Sequence, residues 1–138
     1  MARLKKTDEL LSRFSDRYSA AGSDAGRIIE RSVIGANVGA NGYLTVAQAD
    51  RLIAELKLSS ASALLDIGSG RGWPGVYLAE QTGCSVVLTD VPVAGMKAAA
   101  GRVREADLSH RVHPCLASAT NLPFVADSFD AISHSDTL

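Results

Sequence analysis

The sequence has little cysteine, little aromatic character and no excess of charge of either sign. Its 138 residues include two cysteines, Cys84 and Cys115, and aromatic residues make up only 5%. Two distant cysteines are too few for the disulfide framework that supports small secreted domains. A single bridge between them remains open. Because no export signal precedes them, we expect two reduced and largely buried thiols.

Long apolar runs and clustered basic residues are also missing. No window approaches the ~18 consecutive apolar residues of a membrane span, and residues 1–9 lack the apolar stretch of a secretory signal. The net charge is −1, with 14 basic and 15 acidic residues, so no basic footprint for nucleic acid is present. After Arg111, three aspartates follow unopposed: Asp127, Asp130 and Asp136. We therefore expect a cytoplasmic protein with neither a nucleic-acid nor a membrane partner.

The chain is predicted to divide into a helical leader or cap, residues 1–44, and a second unit, residues 45–138. In the leader, apolar side chains recur at helical spacing over Leu10–Tyr18. Residues 21–24 break this pattern, and a second short helix is predicted over residues 28–34.

A third helix is predicted to begin at a capping box. Thr45 supplies a hydroxyl at the N-cap, and Gln48 supplies the side-chain amide three residues later. Asn41 and Tyr43 lie in the glycine-rich loop just before this box. These two residues form a candidate lid over a bound ligand.

From residue 63 onward, short apolar runs alternate with helical segments. Strands are predicted at residues 63–67, 84–89, 111–116 and 129–133, where apolar and β-branched residues cluster. Pro74 and Pro92 fit the beginnings of two helices, and Gly83 fits a helix C-terminus. This alternation predicts an α/β fold with a parallel sheet.

Three potential metal ligands, His110, His113 and Cys115, lie close together in the sequence. We place all three within the third predicted strand. Because side chains alternate between the two faces of a strand, His110 is expected opposite the other two. No metal site is therefore predicted.

The segment after the first predicted strand is rich in glycine. Alternate glycines from Gly68 allow a sharp turn and a close approach of the backbone to a ligand, and the next helix N-terminus favours negative charge. Asp90 lies 22 residues after Gly68, near the ~20-residue offset at which a carboxylate meets ribose in nucleotide-binding units. Residues 70–75 also match the dinucleotide pattern G-x-G-x-x-G, so a nicotinamide cofactor remains an alternative.

Two motifs together resemble one family. Asp66 begins a D-x-G-x-G-x-G segment that resembles motif I of the class I S-adenosylmethionine-dependent methyltransferases. Residues 122–132, L-P-F-V-A-D-S-F-D-A-I, are similar to the L-P-F…S-F-D-x-I signature of small-molecule members that act on quinones and sterols. The resemblance covers residues 44–138, and the leader is only loosely similar.

The resemblance implies a cofactor site at the ends of the first two strands. Gly68 and Gly70 match the positions along the methionine moiety of S-adenosylmethionine. Asp66 matches a residue that supports the cofactor amino group, often through water. Asp90 matches the acid that accepts two hydrogen bonds from ribose.

Four further residues match positions around adenine and the sulfonium. Val91 matches the apolar residue against adenine, and the backbone N–H of Ala119 matches one that meets the adenine ring. Ser118 departs from the family, which usually has aspartate there, so adenine selectivity is expected to be weaker. His134 falls beside the sulfonium, although a surface or capping role is equally open.

The resemblance implies methyl transfer from S-adenosylmethionine to a small-molecule acceptor, with this chain carrying mainly the cofactor site. No catalytic residue is named, because the sulfonium supplies the leaving group and a general base is optional. Two alternatives stay open: an NAD-linked Rossmann-like oxidoreductase, and a methyltransferase-like binding module without turnover.

The family sheet has seven strands in the order 3-2-1-4-5-7-6, and four of them are predicted here. We therefore expect a Rossmann-like parallel sheet that is incomplete, as if the methyltransferase were truncated after strand four. The open edge of strand four, with apolar surface near Phe129 and Ile132, is expected to pair with a second copy of the chain.

Overall fold

The computed structural model describes residues 2–19, 22–40 and 42–135. The helices are α1 (Ala2–Ser19), α2 (Asp24–Ile34), α3 (Val46–Glu55), α4 (Gly75–Thr82) and α5 (Val93–Glu105). The strands are β1 (Ala63–Ile67), β2 (Ser85–Asp90), β3 (Val112–Leu116) and β4 (Ala131–His134). Within these ranges, no helix is both long and apolar enough to cross a membrane.

The four strands form one parallel sheet in the order β3-β2-β1-β4. This confirms the predicted fold class and the predicted order of the first four strands. The chain moves outward from β1 to β2 and β3, and it then returns to place β4 on the other side of β1. The carboxyl end of β1 is therefore a topological switch point, where α/β sheets form their ligand crevice.

The predicted strands and caps agree closely with the structure because their sequence signals are local. β1 matches its predicted bounds, β2 is shifted by one residue at both ends, and β3 begins one residue later than predicted. Thr45 and Gln48 form the full capping box, and Gly83 ends α4 with a positive φ of 74°. The core between the sheet and its helices is buried and almost entirely aliphatic, and it includes Leu64, Leu78, Val86, Leu88, Ala99 and Val112.

The predicted starts of α2 and β4 were wrong, and so was the predicted place of His110. α2 begins at Asp24, four residues before the predicted position, because the Ser23 side chain caps it by accepting from Gly26 N at 3.1 Å. β4 begins at Ala131 rather than 129, because Asp130 bends the chain to meet the start of β1. His110 lies in the turn before β3, so the predicted alternation of faces does not apply to it.

The leader is packed onto the sheet unit. α1 lies against α5, and Tyr18 is buried between them, with only 9% of its surface exposed. A Cβ added at Gly95 would lie 2.9 Å from the Tyr18 ring, so the absence of a side chain there lets the two helices approach. The division at residues 44 and 45 remains a prediction.

Hydrogen bonds hold the loop between α2 and α3 against the sheet unit. The Glu30 carboxylate accepts from Val38 N and Ala40 N at 2.9 and 2.8 Å. The Trp73 indole N–H donates to Leu44 O at 3.0 Å. This loop therefore spans from α2 to the residues that follow β1.

Candidate functional site

The glycine loop, residues 68–75, follows β1 and lies against the end of β2. Gly68 N and Ser69 N both donate to Thr89 O, at 2.7 and 3.0 Å. Gly68 and Gly70 have φ angles of 70° and 53°, in the left-handed region that favours glycine. The glycines thus let the backbone turn at the switch point without a side chain filling the crevice.

Asp90 ends β2 and joins three parts of the molecule. Its Oδ2 accepts from Gly70 N at 2.8 Å and from the Tyr18 hydroxyl at 3.4 Å. Its Oδ1 accepts from Val91 N at 2.8 Å. Since a carboxylate offers about four acceptor positions, the protein already uses three of them.

Asp66 lies beneath the loop, with 1% of its surface exposed. Its Oδ1 accepts from the Ser133 hydroxyl at 2.8 Å, and its Oδ2 accepts from Gly75 N at 3.1 Å. Burial raises the pKa of Asp66 to about 7, although the hydrogen bonds from Ser133 and Gly75 oppose this shift. The N–H of Gly75 at the start of α4 is therefore bound by the Asp66 carboxylate rather than open to a ligand.

A cavity of about 240 Å³ opens above the glycine loop. Of the eight predicted cofactor residues, four line it together: Gly68, Gly70, Asp90 and Val91. Asp66 supports the loop from the other side. The carboxyl ends of β1 and β2 therefore bring the most specific part of the predicted site into one place.

Ser118 and Ala119 lie near this cavity but are not among the described residues that line it. Ala117 N donates to Asp90 O at 3.1 Å, which places the turn after β3 beside the end of β2. The Ser118 hydroxyl lies 2.9 Å from the Thr120 hydroxyl and accepts from Thr120 N at 3.3 Å. Ser118 is therefore partly engaged within its own turn.

His134 is the last residue of β4 and pairs in register with Ile67 of β1. Its side chain is exposed, and the neighbouring Ser135 lines the cavity. His134 thus lies at the carboxyl edge of the sheet, one residue from the cavity lining.

The leader forms a wall of the cavity, and none of its residues was among the predicted site residues. Leu10, Leu11, Phe14 and Tyr18 all line it from α1. The available signal is an apolar stripe on an otherwise polar helix, which by itself indicates only a packing face.

Of the candidate lid residues, Asn41 lies outside the described residues, and Tyr43 is 80% exposed.

Comparison with known proteins identifies the family to which the chain is similar. A family model described as a methyltransferase domain matches residues 64–138, more than half of the chain. Methyltransferase GfsG from Streptomyces halstedii is 39% identical over 83 residues, which are 60% of this chain and 30% of that protein.

Two solved structures extend the comparison to the fold. The geranyl diphosphate C-methyltransferase from Streptomyces coelicolor A3(2) is 25% identical, with a TM-score of 0.60 over 64% of this chain and 33% of that one. An S-adenosylmethionine-dependent methyltransferase from Thiobacillus denitrificans, 20% identical, has a TM-score of 0.62 over 83% of this chain and 44% of that one. Both structures contain S-adenosylhomocysteine. The chain spans less than half the length of each of these three proteins. Because the family model matches more than half of the chain, the chain belongs to the methyltransferase domain family.

Proposed function

We propose that this chain is the cofactor-binding part of an S-adenosylmethionine-dependent methyltransferase acting on a small molecule. The observation that carries the proposal is the 2.8 Å hydrogen bond from Gly70 N to Asp90 Oδ2. It joins the glycine loop to the acidic end of β2 at the crevice where α/β sheets bind ligands. The relatives named above are methyltransferases, and they give no support to the NAD-linked alternative.

The glycine loop and Asp90 would hold the methionine and ribose parts of the cofactor. Gly68 and Gly70 would lie along the methionine moiety, where a side chain would obstruct it. Asp90 would accept hydrogen bonds from the ribose hydroxyls. Because three of its acceptor positions are already used, a second ribose bond requires the Tyr18 hydroxyl to give way.

The remaining predicted residues would act around this centre. Asp66 would support the cofactor amino group through the loop and water, and Val91 would pack on adenine. Ser118 and Ala119 would meet the adenine edge by a hydroxyl and a backbone N–H. His134 would approach the sulfonium from the end of β4.

The apolar stripe of α1 supports an acceptor with an apolar portion. Leu10 and Phe14 line the cavity and remain 51% and 38% exposed, so they are available to contact a ligand. The Streptomyces coelicolor structure contains geranyl diphosphate. We propose an acceptor of similar apolar character for the protein that contains this chain.

The chemistry requires alignment more than acid or base. When bound, S-adenosylmethionine supplies a methyl group on a good leaving group. The contribution of this chain is to hold donor and acceptor in line, with the glycine loop and Asp90 on one side and α1 on the other. The apolar stripe of α1 would also help to exclude water once donor and acceptor fill the cavity.

Isothermal titration with S-adenosylmethionine, S-adenosylhomocysteine and NAD tests this proposal. We expect binding of the first two and none of NAD. Asp90→Asn should weaken that binding about tenfold or more, since charge-assisted hydrogen bonds contribute about 1.5–3 kcal/mol each. Asp16→Asn, which removes an exposed carboxylate of α1, is the matched control. Binding of NAD alone, or equal affinity in Asp90→Asn, would contradict the proposal.

A separate experiment distinguishes an enzyme from a binding module without turnover. Methyl transfer to a panel of apolar acceptors should be measured with this chain and with a longer chain that continues beyond residue 138. We expect cofactor binding in both and turnover mainly in the longer chain. Cofactor binding without turnover by either chain on any acceptor would favour the binding module.

We also propose self-association through β4. Among the described strands, β4 pairs only with β1, so its other edge is unpaired, and Ile132 on it is 57% exposed. An open strand edge is a template for a second copy. Sedimentation at micromolar concentration should detect a dimer that Ile132→Lys weakens, and a monomer at all concentrations would exclude it.

A cytoplasmic location is proposed as well. Cys84 and Cys115 are both free thiols, and reduced cysteines are typical of the cytosol. Cell fractionation of the tagged chain would test this.

A further inference from the structure

We infer that the groove between α1 and α5 is a binding site for a phosphate group of a small molecule. The groove is a second cavity beside the cofactor cavity, and the two share Tyr18 and Arg71 in their linings. Three basic side chains line it, Arg71, Lys97 and Arg102, together with the hydroxyl-bearing residues Ser15 and Ser19. No aspartate or glutamate is among the described lining residues.

The two arginines meet at one point of the leader loop. Arg71 Nε donates to Gly39 O at 3.2 Å. The Arg102 guanidinium packs on the same residue so closely that a Cβ added at Gly39 would overlap it. Gly39 has a φ of 72°, so both the conformation and the contact favour glycine there. The leader therefore holds two guanidinium groups side by side.

These positive charges have no ion-pair partner in the described part of the protein. Among the described residues, no carboxylate lies within 4 Å of any of the three basic side chains. Burial and the neighbouring Arg71 lower the pKa of Arg102 below its ordinary value, and the more distant Glu30, Glu105 and Glu80 only oppose that shift. Two half-buried guanidinium groups without a paired carboxylate form an arrangement that an anion would stabilise.

The side-chain types indicate phosphate. Arginine binds phosphate oxygens through its planar fork, lysine adds a point charge, and serine hydroxyls donate further hydrogen bonds. A nucleic acid is not favoured, because the whole chain has a net charge of −1 and the groove, with a volume of about 620 Å³, has the size of a small-molecule site. The observations therefore favour a small phosphorylated molecule.

The phosphate site is independent of the proposed methyl transfer. Tyr18 and Arg71 line both the groove and the cofactor cavity, whereas Lys97 and Arg102 of α5 line the groove and not the cofactor cavity. Loss of cofactor binding would leave the phosphate site in place, and loss of phosphate binding would leave the cofactor site in place.

The test is isothermal titration of the whole chain with pyrophosphate at constant ionic strength. We expect saturable binding, weakened about tenfold by Arg102→Gln and by Lys97→Gln, since each removes a charge-assisted hydrogen bond. Arg104→Gln is the matched control, because Arg104 lies on the same helix, is exposed and does not line the groove. Lys97 is exposed, so Lys97→Gln remains informative if Arg102→Gln is unfolded by circular dichroism.

Two further titrations test whether the groove is separate from the cofactor cavity and selective for phosphate. Saturating S-adenosylhomocysteine should leave pyrophosphate binding unchanged, and malonate should bind at least tenfold more weakly than pyrophosphate. Four results would overturn the inference: no saturable binding, equal weakening by Arg104→Gln, competition with S-adenosylhomocysteine, or equal affinity for malonate.

Discussion

Two carboxylates flank the glycine loop, and they lie in opposite environments. The floor of the site consists of Asp66, Gly75 and Ser133, and it is buried, with one hydrogen bond to each oxygen of the Asp66 carboxylate. The rim consists of Asp90, Gly70 and Tyr18, and it borders the cavity. Both carboxylates lie at or near the end of a strand, but only the one at the rim can exchange its partners for a ligand.

The difference indicates a division of labour between stability and binding. A buried charge is costly unless it is paired, and the floor supplies two hydrogen bonds and a raised pKa rather than a basic partner. The rim retains contact with the cavity and holds a leader residue that is 72 positions away in sequence. Changes in the floor should therefore alter folding first, and changes in the rim should alter ligand binding first.

The largest expected effect is Gly75→Ala in the floor. Its new Cβ would lie 2.3 Å from Leu88 Cδ2 and 2.8 Å from Asp66 Oδ2, so it would force apart β2 and the buried carboxylate. Overpacking of this kind costs about 1–3 kcal/mol and sometimes more. Urea unfolding should show that the free energy of unfolding falls by an amount at the upper end of that range.

Gly101→Ala is the matched control for that change. Gly101 is also a helical glycine, but nothing lies within 4 Å of an added Cβ. Alanine there should stabilise the chain by about 0.5–1 kcal/mol. Equal changes in the free energy of unfolding for Gly75→Ala and Gly101→Ala would contradict the close packing around Gly75.

Gly70→Val tests the rim. The new Cβ would meet the Tyr18 hydroxyl and ring at 3.3–3.5 Å, and the φ of 53° disfavours any side chain. We expect a folded α/β circular-dichroism spectrum but no detectable S-adenosylmethionine binding by titration. Retained binding would mean that the glycine loop is only a turn.

The sequence predicted some parts of the site and not others, for a physical reason. The glycine loop, the strand ends and Asp90 have local patterns, so their positions followed from spacing alone. The bond between Tyr18 and Asp90 depends on how α1 packs on α5, which no local pattern specifies. The sequence therefore identified the residues of half of the cavity but none of the individual residues of its leader wall.

The shifted start of β4 has a similar cause. Asp130 N donates to Ala63 O at 2.8 Å, and Asp130 Oδ2 accepts from Ala63 N at the same distance. Phe129 packs edge-on against Phe124, with ring centroids 5.2 Å apart. Phe129 and Asp130 therefore make their contacts outside the hydrogen-bond ladder of the sheet. The hydrophobic pattern of the sequence cannot distinguish these two positions from positions within a strand.

A smaller effect is expected from Asp66→Asn, and it depends on pH. The pKa of Asp66 rises from 3.8 to about 7 on folding, so the native state binds the proton more tightly than the unfolded state. The stabilisation that this proton provides is full below pH 3.8 and is lost as the pH rises towards 7. The amide oxygen in Asp66→Asn would still accept a hydrogen bond from Gly75 N. Because an amide does not titrate in this range, the variant would not lose stability as the pH rises.

We expect urea unfolding to favour Asp66→Asn over the wild type by roughly 1–2 kcal/mol more at pH 5.5 than at pH 4. Ser133→Ala should act in the opposite direction. It removes a hydrogen bond that lowers the pKa of Asp66, so the loss of stability should extend to higher pH. Parallel pH profiles for all three proteins would show that the floor carboxylate does not titrate in this way.

The smallest expected effect is Tyr18→Phe at the rim. Burial and Asp90 raise the pKa of Tyr18 to about 12, so its hydroxyl stays protonated and bound to Asp90 throughout the neutral range. The 3.4 Å bond is long, and ribose would compete for the same oxygen. Removing the hydroxyl should therefore strengthen S-adenosylmethionine binding about twofold to fivefold, from a net hydrogen-bond contribution of about 0.5–1 kcal/mol. Phe14→Leu, on the same face of α1 but without a polar group, is the control, and its cofactor affinity should not rise. Weaker cofactor binding in Tyr18→Phe would mean that the hydroxyl positions Asp90 for ribose rather than occupying its place.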